Sequence, residues 1–261
     1  MTKPQAVNCY DYPRYWDFAF SDETEFEADF IEAVGKKYSD VPVRRMYEPG
    51  CGGGRLVIEM ERRGYEVTAC DSSQQSIEFL QSQCKTPAVR SRMQVGDMTS
   101  FRTTEPVDLA YCMVNTFRHL RTEDDARQHL KAVASNLNPG GIYIIGLHLM
   151  PPDADEDDSE EWTVESDDLS VRVFLEVEDF SRDTRLENVR FELDVSDRGE
   201  EVKLQTTYTL RLYLAQQMRE LLASVPEFEL CDVYDFCYEI DEPLELNDEL
   251  GDTVLILRKL R

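Results

Sequence analysis

Tyr47-Glu48-Pro49-Gly50-Cys51-Gly52-Gly53-Gly54-Arg55 is the stretch whose reading decides the fold. It closes a short apolar run, Val43 to Glu48, that reads as a strand, and it opens a helical pattern over residues 54–63 that Gly64 stops. A strand that turns through glycines into a helix is the first half of a β-α-β unit. Glycine lets the backbone turn sharply and approach a ligand closely, because a Cβ atom would collide with it. In a doubly wound sheet the crevice beyond this strand is where a ligand is expected.

Working outward, Phe26, Phe30, Ile31 and Val34 recur at helical spacing in residues 23–38. On the other side Tyr65 to Cys70 reads as a second strand, and Asp71-Ser72-Ser73 supplies cap residues for a helix to about Cys84. Met93 to Val95 and Val107 to Val114 are a third and a fourth strand. A long helix from about Thr122 to Leu137 ends at Asn138-Pro139-Gly140-Gly141, and Ile142 to Leu149 is the fifth strand. Strand and helix in alternation imply a parallel sheet covered on both faces.

Beyond Pro151-Pro152 the run from Asp153 to Glu161 is almost wholly acidic and reads as an exposed loop. The period then changes to two: Val171, Val173, Leu175 and Val177, then Val189, Phe191, Leu193 and Val195, then Val202, Leu204, Thr206, Tyr208 and Leu210. Turn clusters at 181–184 and 196–199 separate them, so three antiparallel strands with one apolar face are expected. A helix from about Tyr213 to Ala223 and strands near Glu229–Tyr234 and Thr253–Leu260 follow. The expected fold is therefore α/β, a doubly wound, mostly parallel seven-stranded sheet with an inserted antiparallel β meander. Residues 1–150 form the core with its amino-terminal leader, 151–212 the insertion, and 213–261 the helix and strands that complete the sheet.

The glycine loop also selects among ligands. Begun at Gly50, the dinucleotide pattern Gly-x-Gly-x-x-Gly needs glycine at position 55, where Arg55 stands, and the Gly-Lys-Ser/Thr of phosphate-binding loops is absent. An acid, Glu48, instead precedes the alternate glycines Gly50, Gly52 and Gly54. This resembles the first motif of the class I S-adenosylmethionine-dependent methyltransferases, of Rossmann-like fold. Asp71 ends the second strand about 20 residues beyond Gly50, where an acid can accept hydrogen bonds from both ribose hydroxyls. Gly96-Asp97-Met98 resembles the family's acidic position near the adenine amino group, with Met98 packing on the base. The resemblance implies S-adenosylmethionine as cofactor. It implies contacts from Glu48, Gly50, Cys51, Gly52, Gly54, Asp71, Ser72, Ser73, Gly96, Asp97, Met98, Met113 and Asn115. Tyr10 to Asp17 looks like the aromatic leader that small-molecule members fold over the cofactor, with Tyr15 as its contact. The family often carries Thr or Ser where this chain has Gly53.

Methyl transfer by in-line displacement demands alignment more than a fixed pair of carboxylates. His119 and His148 lie beyond strand ends and are candidate proton acceptors, while His129, inside a helix, reads as a surface residue. The insertion's polar face carries Arg172, Arg190 and Arg211, one of which, if buried, would hold a substrate carboxylate. A lid over a small-molecule N, O or C acceptor is the expectation. Two other readings stay open: the same fold using the cofactor for other transfer chemistry, and a non-catalytic module that binds it.

With 53 acidic against 28 basic residues the net charge is −25, which repels phosphate backbones and argues against nucleic acid and anionic membranes as partners. No apolar run approaches the ~20 residues of a membrane-spanning helix, and Met1 to Gln5 lack the apolar core of a secretory signal, so a cytoplasmic monomer or homodimer is expected. The seven cysteines are scattered without metal-site spacing; they read as reduced thiols, and no metal is expected.

Overall fold

The structure is a computed structural model, and it describes residues 5–154 and 159–261. A leader contributes β1 (Gln5–Ala6) and α1 (Pro13–Ala19), followed by α2 (Thr24–Tyr38). The core continues with β2 (Arg45–Pro49), α3 (Arg55–Arg62), β3 (Glu66–Asp71), α4 (Gln74–Gln83), the single turn α5 (Pro87–Arg90) and β4 (Met93–Val95). β5 (Val107–Cys112), α6 (Glu123–Asn136) and β6 (Leu137–His148) complete its first half. Next come β7 (Ser159–Glu165), β8 (Leu169–Ser181), β9 (Leu186–Asp197) and β10 (Glu200–Arg211), then α7 (Ala215–Ala223), β11 (Phe228–Tyr234) and β12 (Asp252–Lys259).

The main sheet has seven strands in the order β11-β12-β6-β5-β2-β3-β4. β2 to β6 run parallel, and β12 and β11 join antiparallel at one side. Successive residues of the central strands alternate between two cores. Leu109 and Tyr111 pack with α2 and α3 on one face, whereas Ala110 and Cys112 pack with α6 and α7 on the other. Both faces are therefore dry, which is why these strands read as unbroken apolar runs. Side-chain caps start the helices where the sequence offers them: the Ser73 hydroxyl accepts from the Ser76 N–H and the Thr122 hydroxyl from the Asp125 N–H.

A second sheet, β1-β10-β9-β8-β7, lies beside the first. Its inward face, with Val171, Val173, Phe191, Leu193, Val195 and Leu204, packs on the aromatic side chains of the leader. Arg198 and Gly199, both at positive φ, make the two-residue turn between β9 and β10, the geometry that matches the strand twist.

Four expectations need correction. The expected three-stranded meander is the middle of a five-stranded sheet, because a tryptophan-bearing segment and the leader add strands at its two edges. Ser159-Glu160-Glu161, read as part of an exposed loop, begin β7, and residues 155–158 of that run lie outside the described residues. Asn138-Pro139-Gly140-Gly141 is a bulge inside β6 and not a turn before it: Val107 pairs with Leu137 and Leu109 with Ile142, and Gly140 takes φ +81°. His129 is wholly buried, because its face of α6 turns toward the sheet, where the Met98 carbonyl and the Tyr143 hydroxyl meet its two nitrogens.

Candidate functional site

The carboxyl ends of β2, β3, β4 and β5 open into a cavity of about 840 Å³. The glycine loop forms its floor. Gly50 N–H and Cys51 N–H both donate to the Cys70 carbonyl at 2.7 and 3.1 Å, which ties the loop to the end of β3. Asp71 then fastens it from the side, Oδ2 accepting from Gly52 N–H at 2.9 Å and Oδ1 from Ser73 N–H at 2.8 Å. Each oxygen keeps a second lone pair for a ligand. Gly52 holds φ +54°, and a Cβ there would meet nothing within 4 Å, so the cradle is open at this point. A Cβ on Gly50, by contrast, would lie 2.5 Å from Thr116 Cγ2.

Glu48, Gly50, Cys51 and Gly52 line this cavity, as do Asp71, Ser72 and Ser73. So do Gly96, Asp97 and Met98 beyond β4, and Met113 beyond β5. Asp97 Oδ1 accepts from the N–H and hydroxyl of Thr99 at 2.8 and 2.7 Å, which closes the loop carrying Met98. Glu48 is buried, its Oε2 has no hydrogen-bond partner among the described residues, and burial holds its proton affinity well above the carboxylate norm despite Arg55.

Three expected cofactor contacts lie elsewhere. Gly54, at φ +87°, serves packing, because a Cβ there would drive into Leu80 of α4. Tyr15 turns away from the cavity, and its hydroxyl donates to Asp197 Oδ2 at 3.2 Å in the inserted sheet. The leader's contributors are Asn8, Tyr10, Asp11, Trp16, Asp17 and Phe20. Trp16 and Phe20 are one helical turn apart and Tyr15 lies about 100° round the helix, a signal present in the spacing. Asn115 lines a second cavity instead.

That second cavity, about 470 Å³, lies between the core and the inserted sheet. Tyr10, Trp16, Phe20, Val114 and His119 line both cavities and form the neck between them. Val114 and Asn115 hold positive φ of 47° and 62°, a strained geometry for a β-branched residue. Asn115 Oδ1 accepts from His148 N–H at 2.8 Å and its Nδ2 lies 3.1 Å from His148 Nδ1, which holds the strained pair in place. His119 Nε2 lies 2.9 Å from the Tyr10 hydroxyl. Burial, helped by Arg118 and Arg121, pushes the His119 pKa down to about 4, so the ring is neutral at physiological pH.

Residue patterns on single segments did not reveal Arg118 and Glu187, which line the second cavity as a buried ion pair between the turn after β5 and strand β9. The three arginines expected to face a substrate line neither cavity. Arg172 is half exposed on the outward face beside Glu161 and Asp194, and Arg190 is held there by Glu176, Glu178 and Glu192. Arg211 is buried, but Glu123 and the Arg121 carbonyl occupy it. Alternation put them on the polar side of the strands, and that side faces away from the site.

A seven-stranded sheet of this order, with a glycine loop after the first of its strands along the chain and acids after the next two, defines the class I S-adenosylmethionine-dependent methyltransferase fold. The chemistry of the donor set fits that class's cofactor: a buried acid with one oxygen lacking a hydrogen-bond partner for a cationic group, an open glycine cradle, and a second acid whose oxygens can accept from a diol. Residues 47–141 match the family model described as a methyltransferase domain. A methyltransferase of Clostridium acetobutylicum, S-adenosylmethionine-dependent by its name, superposes with a TM-score of 0.77 at 17% identity, over 97% of this chain and 100% of that one. A sugar N-methyltransferase of a Streptoalloteichus species gives 0.74 at 14% identity, over 100% and 97%. In sequence, a Geobacillus protein named as a methyltransferase is 22% identical over 53% of this chain and 57% of its own. The chain spans about half the length of the curated relatives it matches. Residues 47–141 are thus a methyltransferase domain by that match, and the chain as a whole shares the fold of S-adenosylmethionine-dependent methyltransferases.

Proposed function

We propose that this protein transfers the methyl group of S-adenosylmethionine to a small molecule held in the second cavity, with a nitrogen acceptor favoured. The carrying observation is the pair of cavities that meet at one neck. When bound, S-adenosylmethionine supplies a methyl carbon made electrophilic by cationic sulfur. The glycine loop and Glu48 would hold its amino-acid end, Asp71 its ribose, and Asp97 and Met98 its base. Tyr10, Trp16 and Phe20 at the neck exclude water and present aromatic faces, which favour a cation and disfavour hydration of the acceptor. His119, neutral and facing both cavities, is a hydrogen-bond acceptor that orients the group being methylated, whose proton passes on to solvent. His148 stands further out, beside Asp252.

Support for nitrogen comes from charge. The second cavity is lined by Glu160, Glu249 and Asp252, while its guanidinium, Arg118, is neutralised by Glu187. Such walls favour an amine over a carboxylate. The sugar N-methyltransferase is a fold neighbour consistent with that reading. We read residues 1–150 as the cofactor-binding core with its leader, 151–212 as a lid, and 213–261 as the part that completes the core sheet.

Calorimetric titration with S-adenosylmethionine and with NAD tests the cofactor, and mass spectrometry of an acceptor panel tests the transfer. Binding of the first ligand alone, weakened at least tenfold by Asp71→Ala, is the expected outcome. His119→Gln should lower kcat by about 10²-fold with cofactor affinity unchanged. Preference for NAD would overturn the reading, and binding without methylated product across amines, phenols and carboxylic acids would favour a non-catalytic role.

A further inference from the structure

Asp17 is a half-buried acid at the cavity wall that the cofactor contacts above leave unused. Helix α1 is clamped on the inserted sheet, Trp16 against Phe191 at 4.6 Å and Phe20 against Trp162 at 5.4 Å between ring centroids. That clamp turns Asp17 onto the glycine loop. A Cβ at Gly53 would lie 2.5 Å from Asp17 Oδ2 and 2.7 Å from Oδ1, so the carboxylate fills the volume that a side chain at position 53 would take. The backbone N–H groups of Gly53 and Arg55 stabilise its charge.

The groups facing it leave this end of the cavity short of positive charge. Arg55 is the near cation, and it is committed to the fully buried Glu27 at 2.6 Å. Glu48, Asp71 and the Cys51 thiol are the other titratable neighbours. Burial, opposed by Arg55 and the two backbone N–H groups, raises the Asp17 pKa to about 7. One guanidinium is thus shared among Asp17, Glu48 and Glu27, two of them at the cavity wall.

We propose that Asp17 binds the α-ammonium group of S-adenosylmethionine, so that the leader closes on the amino-acid end of the cofactor. The proposal rests on the cofactor reading above. It follows that an incoming ammonium keeps the carboxylate ionised, and below pH 7 binding must expel a proton from Asp17.

The test uses the full chain and two ligands: S-adenosylmethionine, and 5′-methylthioadenosine, which keeps the nucleoside but lacks the amino-acid end. Calorimetry in two buffers of different ionisation heat, from about pH 6 to 8, reads affinity and protons released. For the unaltered protein, S-adenosylmethionine affinity should rise with pH up to about 7, by at most about tenfold per unit, with proton release, and then fall as the ligand's own α-ammonium, with an ordinary pKa of about 7.7–8.0, loses its proton. Asp17→Asn should remove the rise below about pH 7 and weaken S-adenosylmethionine about tenfold or more at about pH 7.4, leaving 5′-methylthioadenosine unchanged. If the unaltered protein binds S-adenosylmethionine without proton release below about pH 7, or if the variant binds both ligands as before or loses both equally, the inference is overturned. If the unaltered protein binds neither ligand, the cofactor reading itself fails.

Discussion

His129 carries no exposed surface, lies 3.0 Å from the Met98 carbonyl through Nδ1 and 2.5 Å from the Tyr143 hydroxyl through Nε2, and so supports the loop on which Met98 faces the cavity. Burial lowers its pKa from 6.5 to about 4. The unfolded chain therefore takes up this proton first as pH falls, so the stability that neutral His129 contributes is complete above pH 6.5 and drains away toward pH 4. The shift corresponds to about 3 kcal/mol. Urea midpoints should fall across that window. His129→Gln should be less stable at about pH 7 and show a shallower acid limb, the remainder coming from His119; an unchanged limb would assign the acid loss to other groups. A surface reading of His129 was natural from sequence, since one histidine in a helix does not announce which face it is on.

Between elements, the joint that matters is the one between the inserted sheet and the core. The Arg118 guanidinium, 5% exposed, pairs with Glu187 on β9, and its Nε donates to the Arg211 carbonyl at 2.9 Å. Arg118→Met would leave Glu187 buried without its cation, at a cost of about 3–5 kcal/mol. Replacing both, Arg118→Met with Glu187→Leu, should recover most of that loss, because two apolar side chains need no solvation. Chemical denaturation of both variants checks this; a double variant as unstable as the single one would show that the pair does not act as a unit. The ends of these elements were largely legible. The boundary between α6 and β6 was misjudged where Asn138-Pro139-Gly140-Gly141 bulges within β6, since a proline followed by two glycines has the composition of a turn in either case.

At the scale of the whole molecule, a net charge of −25 leaves acids in large excess, and some cations are shared among several carboxylates. Arg63 meets Asp29, Glu32 and Glu59, and Arg190 meets Glu176, Glu178 and Glu192. The remaining acids repel one another, and salt screens that repulsion over a Debye length of about 10 Å at 0.1 M. Thermal midpoints at neutral pH should rise as sodium chloride is taken from about 0.02 to 1 M, because screening more acid–acid repulsion outweighs weakening the exposed pairs. A flat or falling midpoint would mean that the ion pairs dominate. No helix among the described residues is long and apolar enough to cross a membrane.

Sequence alone determined what is local or periodic. Alternating strand and helix patterns specified the doubly wound sheet, and the spacing of Glu48, Gly50, Gly52 and Asp71 marked the loop that now floors the first cavity. Period two identified the strands of the inserted sheet. Tertiary structure decided whatever depends on which segment faces which. It brought Asp17, 36 residues before Gly53 along the chain, into the space that Gly53 leaves open, and it turned Tyr15 outward and Trp16 inward. It also paired Arg118 with Glu187 while leaving Arg172 to its surface carboxylates. These choices follow from packing one amphipathic surface on another, and a single segment's pattern states that it has a buried face without stating against what.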